Sequence, residues 1–281
     1  MSTSLNELEL LKGFLPLLPG NAQVIAGAGD DCAVLKWNDE YDLLVTVDQL
    51  VRGVHFLPST PAEAAGEKLV KRNMSDIAAM GGEPLFAVMT LGAKGVEQSY
   101  LHNFMKGVAS SCARYGTALC GGDISSIENE GFVTTLTLAG RVPRGQAVMR
   151  SGARPGDLLY VTGEIGNSFL SEHHLTFSPR LDLAAFLRQN ASAAMDISDG
   201  LVLDAKRLAE SSKVDLVIEA EKIPLRRGAV LPEALSDGED YELLFCGRAG
   251  LAFPAVGKVY EGTGKVTVPG FEEMKNYGFE H

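Results

Sequence analysis

Short apolar runs rich in β-branched residues alternate along the chain with helical stretches, and this alternation limits the fold more than any other feature. The predicted strands cover residues 32–37, 43–48, 85–91, 117–120 and 132–142. The predicted helices cover residues 5–17, 61–80 and 96–115. The second helix carries a start signal, with Thr60 as N-cap, Pro61 in the first turn and Glu63 as the capping-box acid. Because strands and helices alternate, the sequence predicts an α/β or α+β fold.

Glycine and proline cluster in the middle of the chain and mark a predicted domain boundary. The cluster contains Pro143, Gly145, Gly152, Pro155 and Gly156. A chain of 281 residues with 46% hydrophobic content is long enough for two cores of ordinary size. We therefore predict two domains, residues 1–145 and 146–281. The second is expected to open with a strand at 157–162 and to contain a helix at 201–211, followed by strands near Val214 and Tyr241.

The excess of acidic over basic residues restricts the ligands and partners that the chain can bind. The sequence has 25 Lys and Arg against 36 Asp and Glu, which gives a formal net charge of −11. Nucleic acids and anionic membranes need a basic protein face, so neither is an expected partner. A phosphate ligand that binds so acidic a protein must bring cations with it. The composition therefore favours phosphate binding through divalent metal.

The cysteines and the first residues predict a cytoplasmic protein. Cys32, Cys112, Cys120 and Cys246 form no CxxC pair, so reduced thiols are expected instead of a zinc site or a disulfide framework. Residues 1–14 carry acids where a signal peptide needs a basic region, and no apolar run reaches the ~18 residues of a membrane span.

Two aspartates stand in apolar surroundings, where a carboxylate is costly without a positive partner. Asp48 ends the apolar run at residues 43–47, and a strand end at a sheet rim is a usual place for a ligand-binding acid. Asp76 lies among apolar residues in the last turns of the predicted helix, where the helix dipole adds negative character. Lys71 is the expected basic neighbour on its helix face. A metal role is predicted for Asp76; solvation at a strand end is the alternative for Asp48.

Other acidic motifs accompany glycines. The acids of GAGDD and GGD follow glycines, which let the backbone approach a phosphate closely. In DISDG, Ser198 is the expected N-cap and the start of the following helix is an expected anion site. Turn capping or solvation would explain any single acid, but capping does not explain all three polar residues of DISDG. The acids of these motifs and of GEDYELLF are Asp30, Asp31, Asp123, Asp196, Asp199, Glu239 and Asp240.

Common nucleotide-binding and catalytic motifs are missing from the sequence. There is no GxxxxGK[ST], no HRD or DFG pattern, no GxGxxG after a strand and no GxSxG. His173 and His174 are interpreted as surface residues of a helix, and His55 is the histidine nearest to the acidic set. Any ATP site must therefore differ from the P-loop and the Rossmann fold.

Seven motifs together carry a resemblance that no single one carries. In order, they are GDDCAVL, TVDQLVRGVHF, NMSDIAAMGGEP, GGD, MRSGARPGDLLYVTG, DISDGL and GEDYELLF. In this order and spacing the chain resembles thiamine-monophosphate kinases, which share a superfamily with aminoimidazole-ribonucleotide synthetase and selenophosphate synthetase. The resemblance implies a two-domain aminoimidazole-ribonucleotide synthetase-like fold whose N-terminal sheets pair in a homodimer. It also implies ATP-dependent conversion of thiamine monophosphate to thiamine diphosphate in a groove between the domains.

The resemblance also implies residue roles. It places several Mg²⁺ ions on Asp31, Thr46, Asp48, Asp76, Asp123, Asp196 and Asp199, of which Asp123 and Asp199 are the expected catalytic residues. It places ATP on Gly122, Asp123, Arg150 and Ser198, and the substrate on His55, Glu239 and Phe279, with Tyr277 as the rival of Phe279. The chain departs from the family pattern at Val47, Gln49, Ile124 and Ser125, where threonines are usual.

Two alternatives stay open. One is a synthetase of the same superfamily that spends ATP on another acceptor; the selenophosphate branch uses a reactive cysteine, and Cys32 lacks a neighbouring Lys or His to activate it. The other is an inactive metabolite-binding regulator on the same scaffold, which the departures at Val47 and Gln49 keep open.

Overall fold

The computed structural model describes residue 10, residues 13–273 and residues 277–279. It contains two mixed six-stranded sheets, one formed by residues 24–143 and the other by residues 158–267. The predicted α/β (α+β) class is therefore confirmed. The boundary predicted at 145/146 falls between the two sheets, and the division into two domains stays a prediction. Among the described residues, no helix combines the length and apolarity needed to cross a bilayer.

The first sheet has one face covered by two long helices. Helices α1 (Ala62–Ala79) and α2 (Gln98–Arg114) pack against it in one apolar core. Neighbouring strands are antiparallel except β4 and β5, which run parallel. The spatial order is β1-β2-β3-β6-β4-β5, with β1 (Val24–Ala26), β2 (Ala33–Lys36), β3 (Tyr41–Val51), β4 (Glu83–Lys94), β5 (Ala118–Ser126) and β6 (Gly131–Pro143).

Strand periodicity decides which side chains of this sheet reach the core. Leu44, Thr46 and Leu50 of β3 point to the helices and are buried, whereas Val47 is 60% exposed on the other face. Phe86 and Val88 of β4 are likewise exposed, and Val88 lies in the same cross-strand row as Val47. The sheet thus has one core face and one partly apolar face that the described residues leave uncovered.

The second sheet lies between two helical layers. Helices α5 (Leu201–Ser212) and α6 (Leu231–Ser236) join its larger apolar core, and α4 (Ala184–Asn190) joins the smaller one. A short helix, α3 (His173–Thr176), precedes α4. The spatial order is β12-β9-β11-β7-β10-β8, with β7 (Leu158–Val161), β8 (Ala191–Asp196), β9 (Val214–Ile218), β10 (Leu243–Gly247), β11 (Ala255–Glu261) and β12 (Val266–Thr267).

Helix α1 connects the two halves. One side of it belongs to the core of the first sheet, through residues such as Leu69 and Ile77. Near its C-terminal end, Ala78 and Ala79 pack instead with Leu243 and Phe245 of the second sheet. The helix therefore lies between the sheets, and polar side chains on it can contact both.

Several local predictions are wrong in detail. Thr60 is not the N-cap of α1: the cap position is Pro61, and the Thr60 hydroxyl accepts a hydrogen bond from the Leu57 amide at 3.1 Å. Asp48 is not at a strand end, because β3 continues to Val51. Of the predicted helix 5–17, the structure describes residue 10 and residues 13–17; residues 10, 13 and 14 are helical, and Leu15–Leu17 form a 3₁₀ turn.

Four strands were not predicted, for identifiable reasons. β8 is alanine-rich and so lacks β-branched residues. β1 has three residues, β12 has two and β11 contains a glycine, so none of them gives a periodic signal.

The crossing of α1 and α2 depends on two glycines. A Cβ atom on Gly66 would lie 2.2 Å from the Phe104 carbonyl oxygen, and one on Gly107 would lie 2.0 Å from the Glu63 carbonyl oxygen. In a helix interior, alanine is normally more stabilising than glycine by ~1 kcal/mol. Here the backbone overlap reverses that preference.

We expect Gly66→Ala and Gly107→Ala each to lower the free energy of unfolding by roughly 1–3 kcal/mol, the usual range for overpacking. Urea unfolding measures the effect. His102→Ala, on the exposed side of α2, is the matched control and should change stability by less than about 0.5 kcal/mol. Glycine variants as stable as this control would contradict the close helix crossing.

Candidate active site

Three carboxylates from distant parts of the chain meet between the sheets. Asp31 precedes β2, Asp76 lies on α1 and Asp196 ends β8. One oxygen of each lies within 4.8 Å of an oxygen of the other two. Hydroxyls position two of them: Ser75 donates a 2.6 Å hydrogen bond to Asp196, and Thr46 donates a short one to Asp76. We call Asp31, Asp76 and Asp196 the acid cluster.

The acid cluster is electrostatically strained without a cation. Burial, followed by the charges of Asp48 and Asp196, raises the pKa of Asp76 well above its usual range. Burial and the charge of Asp31 do the same to the pKa of Asp196. Burial also raises the pKa of Asp31, although Arg150 opposes it. Each shift means that the ionised form is disfavoured here, as expected for like charges held together.

The cluster suits a hard divalent cation. Mg²⁺ takes oxygen ligands and is usually held by one or two carboxylates plus water and phosphate. Asp31 Oδ2 is buried and has no hydrogen-bond partner among the described residues. The other oxygen, Oδ1, accepts a 2.7 Å hydrogen bond from Arg150 Nη2. A residue with an unpartnered carboxylate oxygen, grouped with two further carboxylates, fits the oxygen donors that such an ion requires.

Asp48 is close to the cluster but has a basic partner. Its carboxylate lies 3.2 Å from Arg72 Nη2, and the Arg72 side chain is 12% exposed. The prediction that Lys71 neighbours Asp76 is wrong, because Lys71 Nζ points away and donates to the Leu175 carbonyl at 2.6 Å. Arg72 lies four residues before Asp76, one helical turn away, and is therefore the basic residue on the correct face.

The DISDG motif folds differently from its prediction. Ser198 is not an N-cap, since the cap position is Gly200 and helix α5 starts at Leu201. The amides of Ser198, Asp199 and Gly200 donate instead to Asp204 Oδ2, at 3.0 to 3.2 Å. The chain's own carboxylate thus occupies the helix start that was predicted as an anion site.

Asp199 lies outside the acid cluster. Arg207 Nη1 contacts Asp199 at 2.5 Å and Asp204 at 2.8 Å. Sequence reasoning missed both Arg207 and Asp204, although Asp204 in the first turn of a helix is a known capping signal.

A cavity of about 670 Å³ opens beside these groups. Its lining combines polar groups with aromatic rings and includes Ser198, Asp199 and Arg72 from the regions described above. Three predicted substrate residues, His55, Glu239 and Phe279, line it, and so does Tyr277. The Phe279 amide donates to the Asp199 carbonyl at 2.8 Å, which holds this tail against the site. The structure thus places both rival aromatic residues in the cavity wall.

A buried lysine organises one wall of the cavity. Lys68 is fully buried, and its ammonium contacts the His55 carbonyl at 2.6 Å, His174 Nδ1 at 2.9 Å and Glu239 Oε2 at 2.5 Å. The prediction of His174 as a surface residue is wrong: it is 3% exposed. These partners match the three donors of an ammonium group.

The network keeps Glu239 ionised. Burial alone would raise the pKa of Glu239, but the contact with His174 and the charge of Lys68 outweigh it, and the pKa falls to about 2. Burial lowers the pKa of Lys68 to about 8 although Glu239 opposes the shift. Glu239 therefore presents a fixed negative charge at the cavity.

The GEDYELLF loop is buried and strained. Asp240 is 1% exposed, paired with Arg226 at 2.7 Å, so its interpretation as a solvated acid is wrong. Glu239 and Tyr241 both have left-handed backbones, with φ of 62° and 51°. Such conformations are unfavourable for residues other than glycine and concentrate at functional sites.

Gly122 and Asp123 do not join the acid cluster within one chain. They lie on the exposed edge strand β5. The row of paired residues that begins at Asp48 on β3 crosses β6 and β4 before it reaches Gly122, so the two residues are three strand spacings apart. At ~4.8 Å per spacing, the separation is roughly 14 Å. A Cβ on Gly122 would lie 1.8 Å from the Met89 carbonyl oxygen, so strand packing explains this glycine without a phosphate.

Cys32 is not an exposed nucleophile. Its side chain is 1% exposed, and burial together with Asp76 and Asp31 raises the pKa of its thiol well above the usual value. A thiol held protonated in this way is unreactive. The reactive cysteine of a selenophosphate-type site is therefore not present at this position.

Comparisons with known proteins agree with this fold. The family described as AIR synthase related protein, N-terminal domain, matches residues 29–142. Thiamine-monophosphate kinase of Rhodopirellula baltica is 34% identical over 309 residues, covering 98% of this chain and 96% of that protein. The enzyme of Aquifex aeolicus is 35% identical over 288 residues, covering 90% and 92%. A solved structure, "AaThiL complexed with AMPPCP and TMP", is 33% identical with a TM-score of 0.86, covering 100% of this chain and 98% of that one.

The fold and the site together define the class. Residues 29–142 match the AIR synthase related family, and the fold of the whole chain matches that of the solved structure with a TM-score of 0.86. Within that class, the chain belongs to the thiamine-monophosphate kinase family.

The strain in the acid cluster predicts how one charge-removing substitution behaves. Asp76→Asn deletes one of three mutually repelling carboxylates and keeps the side-chain shape. We expect the variant to have a higher Tm than the parent protein in EDTA, and to gain less Tm from added Mg²⁺, because fewer ligand charges remain.

Differential scanning calorimetry with and without Mg²⁺ measures both effects. Asp39→Asn removes an exposed carboxylate and is the control, for which neither value should change. A lower Tm of Asp76→Asn in EDTA, together with an unchanged Mg²⁺ response, would contradict the metal assignment.

Proposed function

We propose that this chain transfers the γ-phosphoryl group of ATP to the phosphate of thiamine monophosphate, forming thiamine diphosphate and ADP. One observation carries the proposal: the acid cluster and the 670 Å³ cavity lie along the same helix, α1. Lys68 and Asp76 are eight residues apart, which corresponds to ~12 Å of helix rise. A metal-binding end and an organic-ligand end are thus held at a distance that a phosphorylated small molecule can span. The name of the related enzymes and the bound AMPPCP and TMP of the related structure support the same ligands.

The acid cluster would hold the proposed Mg²⁺. Asp31, Asp76 and Asp196 are the candidate ligands, and several ions are proposed because the resemblance adds Thr46, Asp48, Asp123 and Asp199. When bound, Mg²⁺ neutralises and orients the phosphate oxygens. An acidic protein needs this neutralisation to hold two phosphate-bearing ligands together.

The cavity would hold thiamine monophosphate. Glu239 supplies a fixed negative charge to the cationic part of the substrate, and His55 and Phe279 complete the proposed contacts. Arg72 lies between this cavity and Asp48, so its guanidinium is placed to attract the substrate's phosphate. Arg72 was not among the predicted site residues.

The proposed reaction is a direct displacement. A phosphate oxygen of thiamine monophosphate forms a bond to the γ-phosphorus, the bond to the β,γ-bridging oxygen breaks, and its electron pair leaves on ADP. The attacking oxygen is already ionised at neutral pH, so no strong general base is required. The chain's contribution is to position the two phosphates and to exclude competing acceptors. Asp199 and Asp123 are the proposed catalytic residues.

The proposed ATP contacts come from both halves of the chain. Arg150 and Ser198 lie near the acid cluster and the cavity, respectively. Gly122 and Asp123 lie on an exposed edge strand, and their role in ATP binding is proposed from the resemblance alone. We further propose a cytoplasmic location, in keeping with the unpaired buried thiols of Cys32, Cys112 and Cys246.

The uncovered face of the first sheet supports a homodimer. Val47, Phe86 and Val88 expose apolar surface there, on strands that are otherwise well ordered in the sheet. Pairing of two such faces would bury this surface, and self-complementary pairing is the commonest form of oligomer.

Val88→Glu tests the dimer. We expect wild type to sediment with twice the mass of one chain, and Val88→Glu to sediment as a folded monomer because it places a charge on the apolar face. Val230→Glu, at an exposed apolar position of the other half, should stay dimeric. A Val88→Glu variant that remains dimeric would place the interface elsewhere.

A product assay tests the function itself. With ATP, Mg²⁺ and thiamine monophosphate, the protein should form ADP and thiamine diphosphate in equal amounts, without an accumulating phosphoenzyme. The reason is that the site contains carboxylates and buried cations but no activated thiol at Cys32.

Other outcomes would identify the alternatives. Free phosphate without thiamine diphosphate would move the protein to the synthetase branch. Binding of both ligands without turnover would indicate the regulatory scaffold. Chromatography of the nucleotides and thiamine esters separates these results.

A further inference from the structure

Phe169 is an aromatic residue of the cavity wall that none of the assigned roles includes. Its side chain is 45% exposed, and its ring contributes to the cavity lining. The neighbouring Leu170 is 82% exposed but does not line the cavity. Two successive apolar residues thus differ in one respect: one faces the site and the other faces solvent.

The ring of Phe169 is held in place from behind. It stacks on the His174 imidazole, with ring centroids 4.6 Å apart and an interplanar angle of 21°. His174 is fixed in turn by contacts of its Nδ1 with Lys68 at 2.9 Å and with Glu239 at 3.1 Å. The ring therefore has one face packed and the other available, as a stacking platform requires.

The loop that carries Phe169 is anchored on both sides. Ser168 is 1% exposed and donates a 2.6 Å hydrogen bond to the buried Asp240. The Ser171 hydroxyl donates to the Asn167 carbonyl at 2.6 Å. Asn167 and Glu172 adopt left-handed conformations, with φ of 56° and 59°, where the loop turns. These contacts fix the position of the ring on an otherwise exposed loop.

Glu239 determines which kind of ring fits this wall. Its carboxylate belongs to the same contact network as His174 and lines the same cavity. An aromatic face attracts cations through its quadrupole, and a carboxylate attracts them through its charge. The two together favour a flat ring that carries a positive charge over a neutral one.

We propose that Phe169, backed by His174, is a substrate-binding residue that stacks on the thiazolium ring of thiamine monophosphate beside Glu239. This inference rests on the proposed function, because it takes its ligand from it. It adds a specificity element: the wall selects for a cationic heteroaromatic ring. The phosphate of the same ligand would then extend toward Arg72 and the acid cluster.

Calorimetry with thiamine monophosphate tests the proposal on wild type and on Phe169→Ala, Phe169→Trp and Leu170→Ala. Loss of a cation–π and stacking contact should raise the Kd of Phe169→Ala by about ten-fold. Phe169→Trp should stay within about three-fold of wild type because it retains an aromatic face, and Leu170→Ala should match wild type. In turnover assays, Phe169→Ala should raise the KM for thiamine monophosphate and leave kcat and the KM for ATP unchanged.

A matched pair of smaller ligands tests the charge selectivity. A neutral thiazole phosphate and its N-methylated thiazolium form differ by the ring charge. Wild type should prefer the charged form, and Phe169→Ala should lose most of that preference.

The outcomes separate the two claims. If wild type fails to bind thiamine monophosphate, the proposed function fails and the inference fails with it. If wild type binds it but Phe169→Ala behaves like Leu170→Ala, the proposed function stands and the stacking role is overturned. Equal losses for Phe169→Ala and Phe169→Trp would also overturn stacking, because they would show that shape matters and the aromatic face does not.

Discussion

A row of charged side chains on helix α1 is the constraint on which the rest of the site depends. Lys68, Arg72 and Asp76 follow one another at intervals of four residues and so share one face of the helix. Each reaches a different partner: Lys68 contacts Glu239, Arg72 contacts Asp48, and Asp76 accepts from Thr46. Because the helix lies between the two sheets, this row fixes the organic-ligand wall and the acid cluster relative to each other.

Buried charges of this kind are tolerated only when they are paired, and the two ends of the row differ in this respect. At the Lys68 end, three acceptors surround one ammonium group, and the carboxylate of Glu239 is held ionised. At the Asp76 end, carboxylates face carboxylates, and the ionised forms are disfavoured. At the first end, the charged forms of Lys68 and Glu239 are both retained without a ligand. The second lacks positive charge, which gives a physical reason for binding metal together with phosphate.

The sequence predicted the members of the site better than their arrangement. Asp31, Asp76 and Asp196 stand out because each is an acid in apolar or glycine-rich surroundings, and that property is visible along the chain. Their meeting depends on the packing of α1 between two sheets, which local patterns do not encode. Lys68 and Glu239 are 171 residues apart, so their contact carries no local signal.

Some local predictions are wrong because they, too, depend on contacts that the local sequence pattern does not encode. The Ser198 cap was predicted from composition, but Asp204 satisfies those amides from inside the helix. His174 was interpreted as a surface residue because α3 is too short to show an apolar face. The alternation of strands and helices depends on local periodicity, and for that reason the fold class was predictable. The proposed chemistry depends on a cation at the acid cluster. Anomalous diffraction from crystals grown with Mn²⁺ in place of Mg²⁺ tests this directly: a peak is expected within coordination distance of oxygens of Asp31, Asp76 and Asp196, and ordered Mn²⁺ found only away from these carboxylates would contradict a metal site there.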